Sequence, residues 1–118
     1  MTAADYQFNG LPTTLKAGAT VFQLTDSAPL EHHEMVIFRR KPGVTDKATK
    51  FLGLSQKQAL KKLEPVDSAG ETSPGQTSYA ITNLTPGQYI ATCFLTQGGK
   101  KKGKGHYQLG MITEFTVS

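Results

Sequence analysis

Apolar residues in this chain recur every second position in short runs, and glycine, proline and small polar residues separate the runs. Residues 5–11 and 13–24 read as two β segments. Gly10 and Pro12 punctuate the first, and Lys16-Ala17-Gly18 turns the chain into Ala19-Thr20-Val21-Phe22-Gln23-Leu24. Thr25 to Pro29 is a loop. His32 to Phe38 (HHEMVIF) is the next strand. Strand alternation puts His33, Met35 and Ile37 on one face and His32, Glu34, Val36 and Phe38 on the other. Apolar residues on both faces mark a strand packed on one side and partly covered on the other, and Pro42-Gly43 ends it. Further strands are predicted at 77–82, 88–95 and 112–117, with Thr85-Pro86-Gly87 as the turn between the first two.

Two stretches break this rhythm. In residues 45–64, Ser55-Gln56-Lys57-Gln58 has the form of a capping box. Ala59, Leu60 and Leu63 follow at helical spacing, and Pro65 stops the run. The stretch reads as a helical insertion whose lysines form a wetted face. Residues 67–76 (DSAGETSPGQ) are polar and rich in glycine and proline, hence a predicted loop. Seven or so short strands with turn signals between them predict an all-β Greek-key β-sandwich with a short helical insertion around residues 45–64. No internal repeat is present.

Composition narrows the class. A chain of 118 residues with 37% hydrophobic and 19% charged content is expected to form a single domain, residues 1–118, around one core. No apolar run approaches the roughly 18 residues that a membrane helix needs, so no membrane insertion is expected. Met1 to Asp5 has neither a basic nor an apolar leader region. The expectation is the mature form of a periplasmic or secreted protein, with the cytoplasm left open.

The net charge of +4 is unevenly spread. Lys100-Lys101-Lys102-Gly103-Lys104 concentrates four of the thirteen basic residues, and no acid lies between Asn83 and Tyr107. A solvated loop is the default reading. Nucleic-acid binding would want aromatics among the lysines, and only glycines are there, so no nucleic-acid partner is expected. A monomer is expected.

The chemistry gathers in the C-terminal third. Cys93 is the lone cysteine, so no internal disulfide is possible; His106 follows after a Gly/Lys-rich loop, and Met111 comes five positions later. A thiolate, an imidazole and a thioether around one loop suit copper, and the His32-His33 pair can supply a second imidazole. Each residue also admits an ordinary role. His33 can be a strand-end histidine satisfied by Glu31 or Glu34, His106 an exposed loop residue, Met111 core filling and Cys93 a small buried hydrophobe. Their joint order and spacing favour metal binding.

The phrase LTPGQYIATC, then GHYQLGM, then a closing EFTV strand resembles the cupredoxins, the small blue copper domains of the plastocyanin and azurin kind. In that family a Pro-Gly turn leads into a strand carrying an aromatic and then the ligand Cys, followed by a ligand His and a Met five residues later. The resemblance covers most of the chain from about Thr20, with 44–76 as the divergent part. It implies a mononuclear copper site of His33, Cys93, His106 and Met111, with His32 as runner-up for the first ligand. His33 matches better because a polar residue and then apolar ones follow it. Two departures stand out. Glu34 occupies the position where plastocyanin-like members carry an Asn that ties the ligand loops. Twelve residues separate Cys93 from His106, far more than in the small electron carriers.

The function the resemblance implies is electron transfer, with Cys93 as conduit, His106 near the surface and a redox or copper-exchange partner that the basic loop selects to be acidic. A copper carrier or sensor with an open site, and a metal-free cupredoxin-like binding module, are the alternatives. An enzyme is not expected. Thr92-Cys93-Phe94 lacks the flanking histidines of the multicopper oxidases. Cys93 on a strand does not suit a cysteine nucleophile. Asp26, Glu31 and Glu34 form no acid/base pair by spacing, and Gly98-Gly99-Lys100 is not a phosphate loop.

Overall fold

The computed structural model describes residues 1–118. Nine strands and one short helix follow in order: β1 (Thr2–Ala4), β2 (Gln7–Asn9), β3 (Thr14–Leu15), β4 (Gly18–Asp26), β5 (His33–Arg40), α1 (Gln56–Leu60), β6 (Leu63–Thr72), β7 (Thr77–Leu84), β8 (Gly87–Thr92) and β9 (Ile112–Val117). They build a four-stranded sheet in the order β2-β1-β4-β7 and a five-stranded sheet in the order β3-β9-β8-β5-β6. Pairing is antiparallel except for β1 with β4 and β3 with β9. The expected β-sandwich is the fold.

The main core lies between the sheets. Phe22 and Leu24 of β4 meet Met35 and Ile37 of β5, Tyr89 and Ala91 of β8, and Phe115 and Val117 of β9. The predicted alternation along β5 holds: His33, Met35 and Ile37 are all fully buried on one face. Tyr89 stacks on Phe115 with ring centroids 5.3 Å apart, and its hydroxyl donates to the Thr85 carbonyl at 2.6 Å, closing the turn before β8.

A second, smaller core covers the outside of the five-stranded sheet. Phe38 of β5 and Ile90 of β8 stand opposite each other and are capped by Phe51, Ala59 and Leu63. The insertion supplies this cap through a 3₁₀ turn at Ala48–Gly53 and through α1. The capping box is formed: the Gln58 amide donates to Ser55 Oγ at 3.2 Å and the Ser55 amide to Gln58 Oε1 at 3.0 Å.

Two expectations need correction here. Helical structure ends at Leu60, which is exposed, and Leu63 belongs to β6. Residues 67–72, read as loop, are the second half of that ten-residue strand. Strand β6 is the edge of its sheet, so Pro65 forfeits no ladder bond on the open side. Its register against β5 shifts at two bulges, between His33 and Met35 and between Ile37 and Phe38. Extra residues on the bulged strand break the period of two by which a strand is recognised. In addition, β1 lies before the predicted start of the first segment, and β4 runs on through Asp26.

Candidate metal centre

Strand ends assemble the site. His33 opens β5, Cys93 follows the last residue of β8, and Met111 precedes the first residue of β9. Since β5, β8 and β9 are antiparallel neighbours, these three positions fall at one end of the same sheet. His33, Cys93, His106 and Met111 are each fully buried. His32 is not part of the group: it is exposed and pairs with Glu71 at 3.0 Å.

The long excursion from Cys93 to His106 closes on itself. Thr96 and Gly105 form a β-bridge, and the Gln97 amide donates to the Lys104 carbonyl at 2.9 Å. Below that neck the His106 amide donates to the Leu95 carbonyl at 2.7 Å and the Tyr107 amide to the Cys93 carbonyl at 2.9 Å. The four lysines therefore ride on a hairpin outside the neck. Seen from the donors, the connection is as short as if the hairpin were absent.

The other half of the loop is equally fixed. His106–Leu109 forms a 3₁₀ turn, and the Met111 amide donates to the His106 carbonyl at 3.0 Å. The Cys93 amide donates to the Met111 carbonyl at 3.1 Å. Gly110 makes the turn possible, with φ at +128° and a position where a Cβ would come within 2.8 Å of the Tyr6 carbonyl oxygen. Behind the loop, Phe94 packs edge-on against both Phe38 and Tyr107, and the Tyr107 hydroxyl donates to the Leu54 carbonyl. The helical insertion thus buttresses the ligand loop.

Ligand-type atoms of His33, Cys93 and His106 all lie within 4.8 Å of one another. The two Nδ1 atoms are 3.1 Å apart, and Cys93 Sγ is 3.5 Å from His106 Nδ1. The far side of each ring faces a carboxylate: His33 Nε2 is 2.8 Å from Asp5 Oδ1, and His106 Nε2 is 3.6 Å from Glu31 Oε2. Each ring thus turns its Nε2 toward a carboxylate and its Nδ1 toward the other ring. Two Nδ1 atoms 3.1 Å apart can share a proton or hold a metal ion between them. The donor set and its geometry fit a metal ion.

Burial sets the protonation of the donors. It pushes the Cys93 thiol up to about 12, against which the Glu34 amide, donating to Sγ at 3.4 Å, works only weakly. Burial, and then neighbouring His33, pull His106 below the usual imidazole value, which keeps the ring neutral and free to ligate. Glu34 replaces the loop-tying Asn by the same means, since its carboxylate accepts from the Phe94 amide at 3.3 Å. Burial raises its carboxyl above the ordinary value.

His106 is not near the surface, contrary to expectation. Tyr6, whose ring centroid is 4.9 Å from that of His106, and Glu31 cover it. Asp5 and Tyr6 gave no signal in the sequence, because their partners are at least twenty-five residues away along the chain. Outside Glu31 an open cleft of about 610 Å³ is lined by Leu30, His32, Leu95 and Gly98 among others.

Neither family models nor curated protein sequences match the chain. Solved structures do. Auracyanin from the photosynthetic bacterium Roseiflexus castenholzii is similar with a TM-score of 0.56 and 17% identity over 99% of this chain and 96% of its own. An azurin (iso2) from the methylotroph Methylomonas sp. strain J has a TM-score of 0.58 and 11% identity over 99% of this chain and 94% of its own. Auracyanin A, a "blue" copper protein from Chloroflexus aurantiacus, has a TM-score of 0.56 and 15% identity over 100% of this chain and 98% of its own. The chain has the cupredoxin fold, and the likeness reaches the N-terminal strands ahead of Thr20.

Proposed function

We propose that the chain is a mononuclear copper protein that carries electrons, in which His33, Cys93 and His106 would hold the ion and Met111 would add a weaker sulfur donor. The observation that carries this reading is the convergence of three buried donor atoms within 4.8 Å, with both imidazoles turned Nδ1-inward. Met111 belongs to the same buried cluster as Cys93 and is bonded through its amide to the His106 carbonyl at 3.0 Å. Copper in such a set supplies a one-electron couple, because thiolate and thioether suit the reduced ion and imidazole the oxidised one.

The residues of this chain do the rest. The amide lattice among Leu95, His106, Cys93 and Met111 holds the ligands in one arrangement for both oxidation states. The Glu34 amide shares the charge on sulfur. Tyr6, Glu31 and the hairpin neck exclude water. This enclosure speaks for a carrier of electrons and against the copper carrier or sensor with an open site. The lysine hairpin beside the cleft favours an acidic redox partner by electrostatic steering. On this reading the protein is not an enzyme, forms one domain over residues 1–118, and works in the periplasm or outside the cell.

The test is a visible spectrum after addition of Cu(II). Wild type gains an intense thiolate-to-copper band, and Cys93→Ser gains none. A colourless wild-type protein overturns the reading.

A further inference from the structure

Both imidazoles of the site have a carboxylate behind them, and the two carboxylates come from segments without any ligand. Asp5 lies between β1 and β2, and its Oδ1 is 2.8 Å from His33 Nε2, a ring with no exposure at all. Glu31 lies just ahead of β5. The Gly98 amide donates to its two oxygens at 2.8 and 3.1 Å, and the Tyr6 hydroxyl donates to Oε1 at 3.2 Å. With its other neighbours all donors, the Glu31 carboxylate is left facing His106 Nε2 at 3.6 Å. That nitrogen is buried and has no hydrogen-bond partner.

We propose that Asp5 and Glu31 are positioning residues that hold both rings as Nε2–H tautomers with Nδ1 turned toward Cys93, and that their charge favours a divalent over a monovalent ion there. The first half follows from acceptor chemistry. An ionised carboxylate can only accept, so the ring nitrogen facing it carries the proton and the other carries the lone pair. The second half rests on the copper reading. A carboxylate behind a ligating imidazole raises the ring's donor strength. Its attraction also scales with the charge of the ion, and little water intervenes to screen it. The hairpin gains a role as well, since its Gly98 amide is what fixes Glu31 in place.

The experiment uses the full chain, with Asp5→Asn and Glu31→Gln as shape-preserving variants whose carbonyl oxygens still accept. Long-range proton–nitrogen NMR of the metal-free wild type at pH 8 reads the tautomers, and both rings are expected as Nε2–H. Chelator competition with Cu(II) and with Cu(I) then gives the two affinities. Each variant is expected to lose about tenfold or more in Cu(II) affinity and less in Cu(I) affinity, Asp5→Asn the more strongly. A tenfold change in their ratio raises the one-electron potential by about 59 mV. A proton on Nδ1 of either wild-type ring, or an unchanged affinity ratio in both variants, overturns the proposal. If wild type binds no copper, the copper reading has failed, and the NMR result alone decides whether the carboxylates position the rings.

Discussion

The two hydrophobic clusters of this protein are built on opposite principles. The outer one, Phe38, Phe51, Ala59, Leu63 and Ile90, contains no polar side chain. The inner one carries Cys93 and Met111 at the end where it meets His33 and His106, both fully buried. Buried polar groups destabilise a fold unless they are paired. The inner cluster pairs most of them, His33 with Asp5 and Cys93 with the Glu34 amide, and leaves His106 Nε2 facing Glu31 without a hydrogen bond. The outer cluster gives stability without constraint on chemistry. The inner one holds a fixed geometry. Phe94 and Tyr107 connect the outer cluster to the ligand loop, so the apolar cap also buttresses that loop.

That contrast can be broken from the apolar side. Phe51→Ala leaves a cavity in the outer cluster and is expected to cost about 3–5 kcal/mol in urea-induced unfolding. The copper band of the folded fraction should keep its position. A shifted band would mean that the cap sets ligand geometry and not only stability.

Copper sharpens the comparison from the other side. At about a hundred times its dissociation constant it should stabilise the wild type by about 2.7 kcal/mol. Phe51→Ala should gain by the same amount, and Cys93→Ser should gain far less. Denaturation with and without the ion measures all three.

The Cys93 thiol gives the metal-free protein a signature in alkali. Its folded value of about 12 lies above the ordinary 9.0. Below pH 9 both states keep the proton and the stabilisation is complete. As the pH climbs toward 12, the unfolded chain ionises first and the fold loses about 1.4 kcal/mol per pH unit. Subtracting the profile of Cys93→Ser isolates this slope. By the same linkage, copper uptake at neutral pH releases the thiol proton and tightens about tenfold per pH unit.

The smallest effect belongs to the helix cap. Ser55→Ala removes one half of the capping box and should cost about 1 kcal/mol in thermal unfolding. The copper spectrum should not change.

Local patterns made much of this protein legible. The alternation in HEMVIF identified β5 and its buried face, the capping box placed the start of α1, and 112–117 coincide with β9. The order of Cys93, His106 and Met111 pointed to a soft-donor site before any geometry was known. Strand β6 escaped because an edge position and two bulges let it keep Pro65 and Gly70 in a ladder that shows no regular alternation.

The lysine hairpin escaped for a related reason. Composition marks a Gly/Lys run as solvated, yet nothing in it says that Thr96 and Gly105 will pair and close the neck. Residue type and spacing thus pointed to the β-sandwich and to Cys93, His106 and Met111 with one of the His32-His33 pair, because these signals depend on neighbours along the chain. Only tertiary structure decided that His106 is covered, that His33 and not His32 faces Cys93, and that Asp5 and Glu31 stand behind the rings. Those contacts join residues far apart in sequence, and no local preference records them.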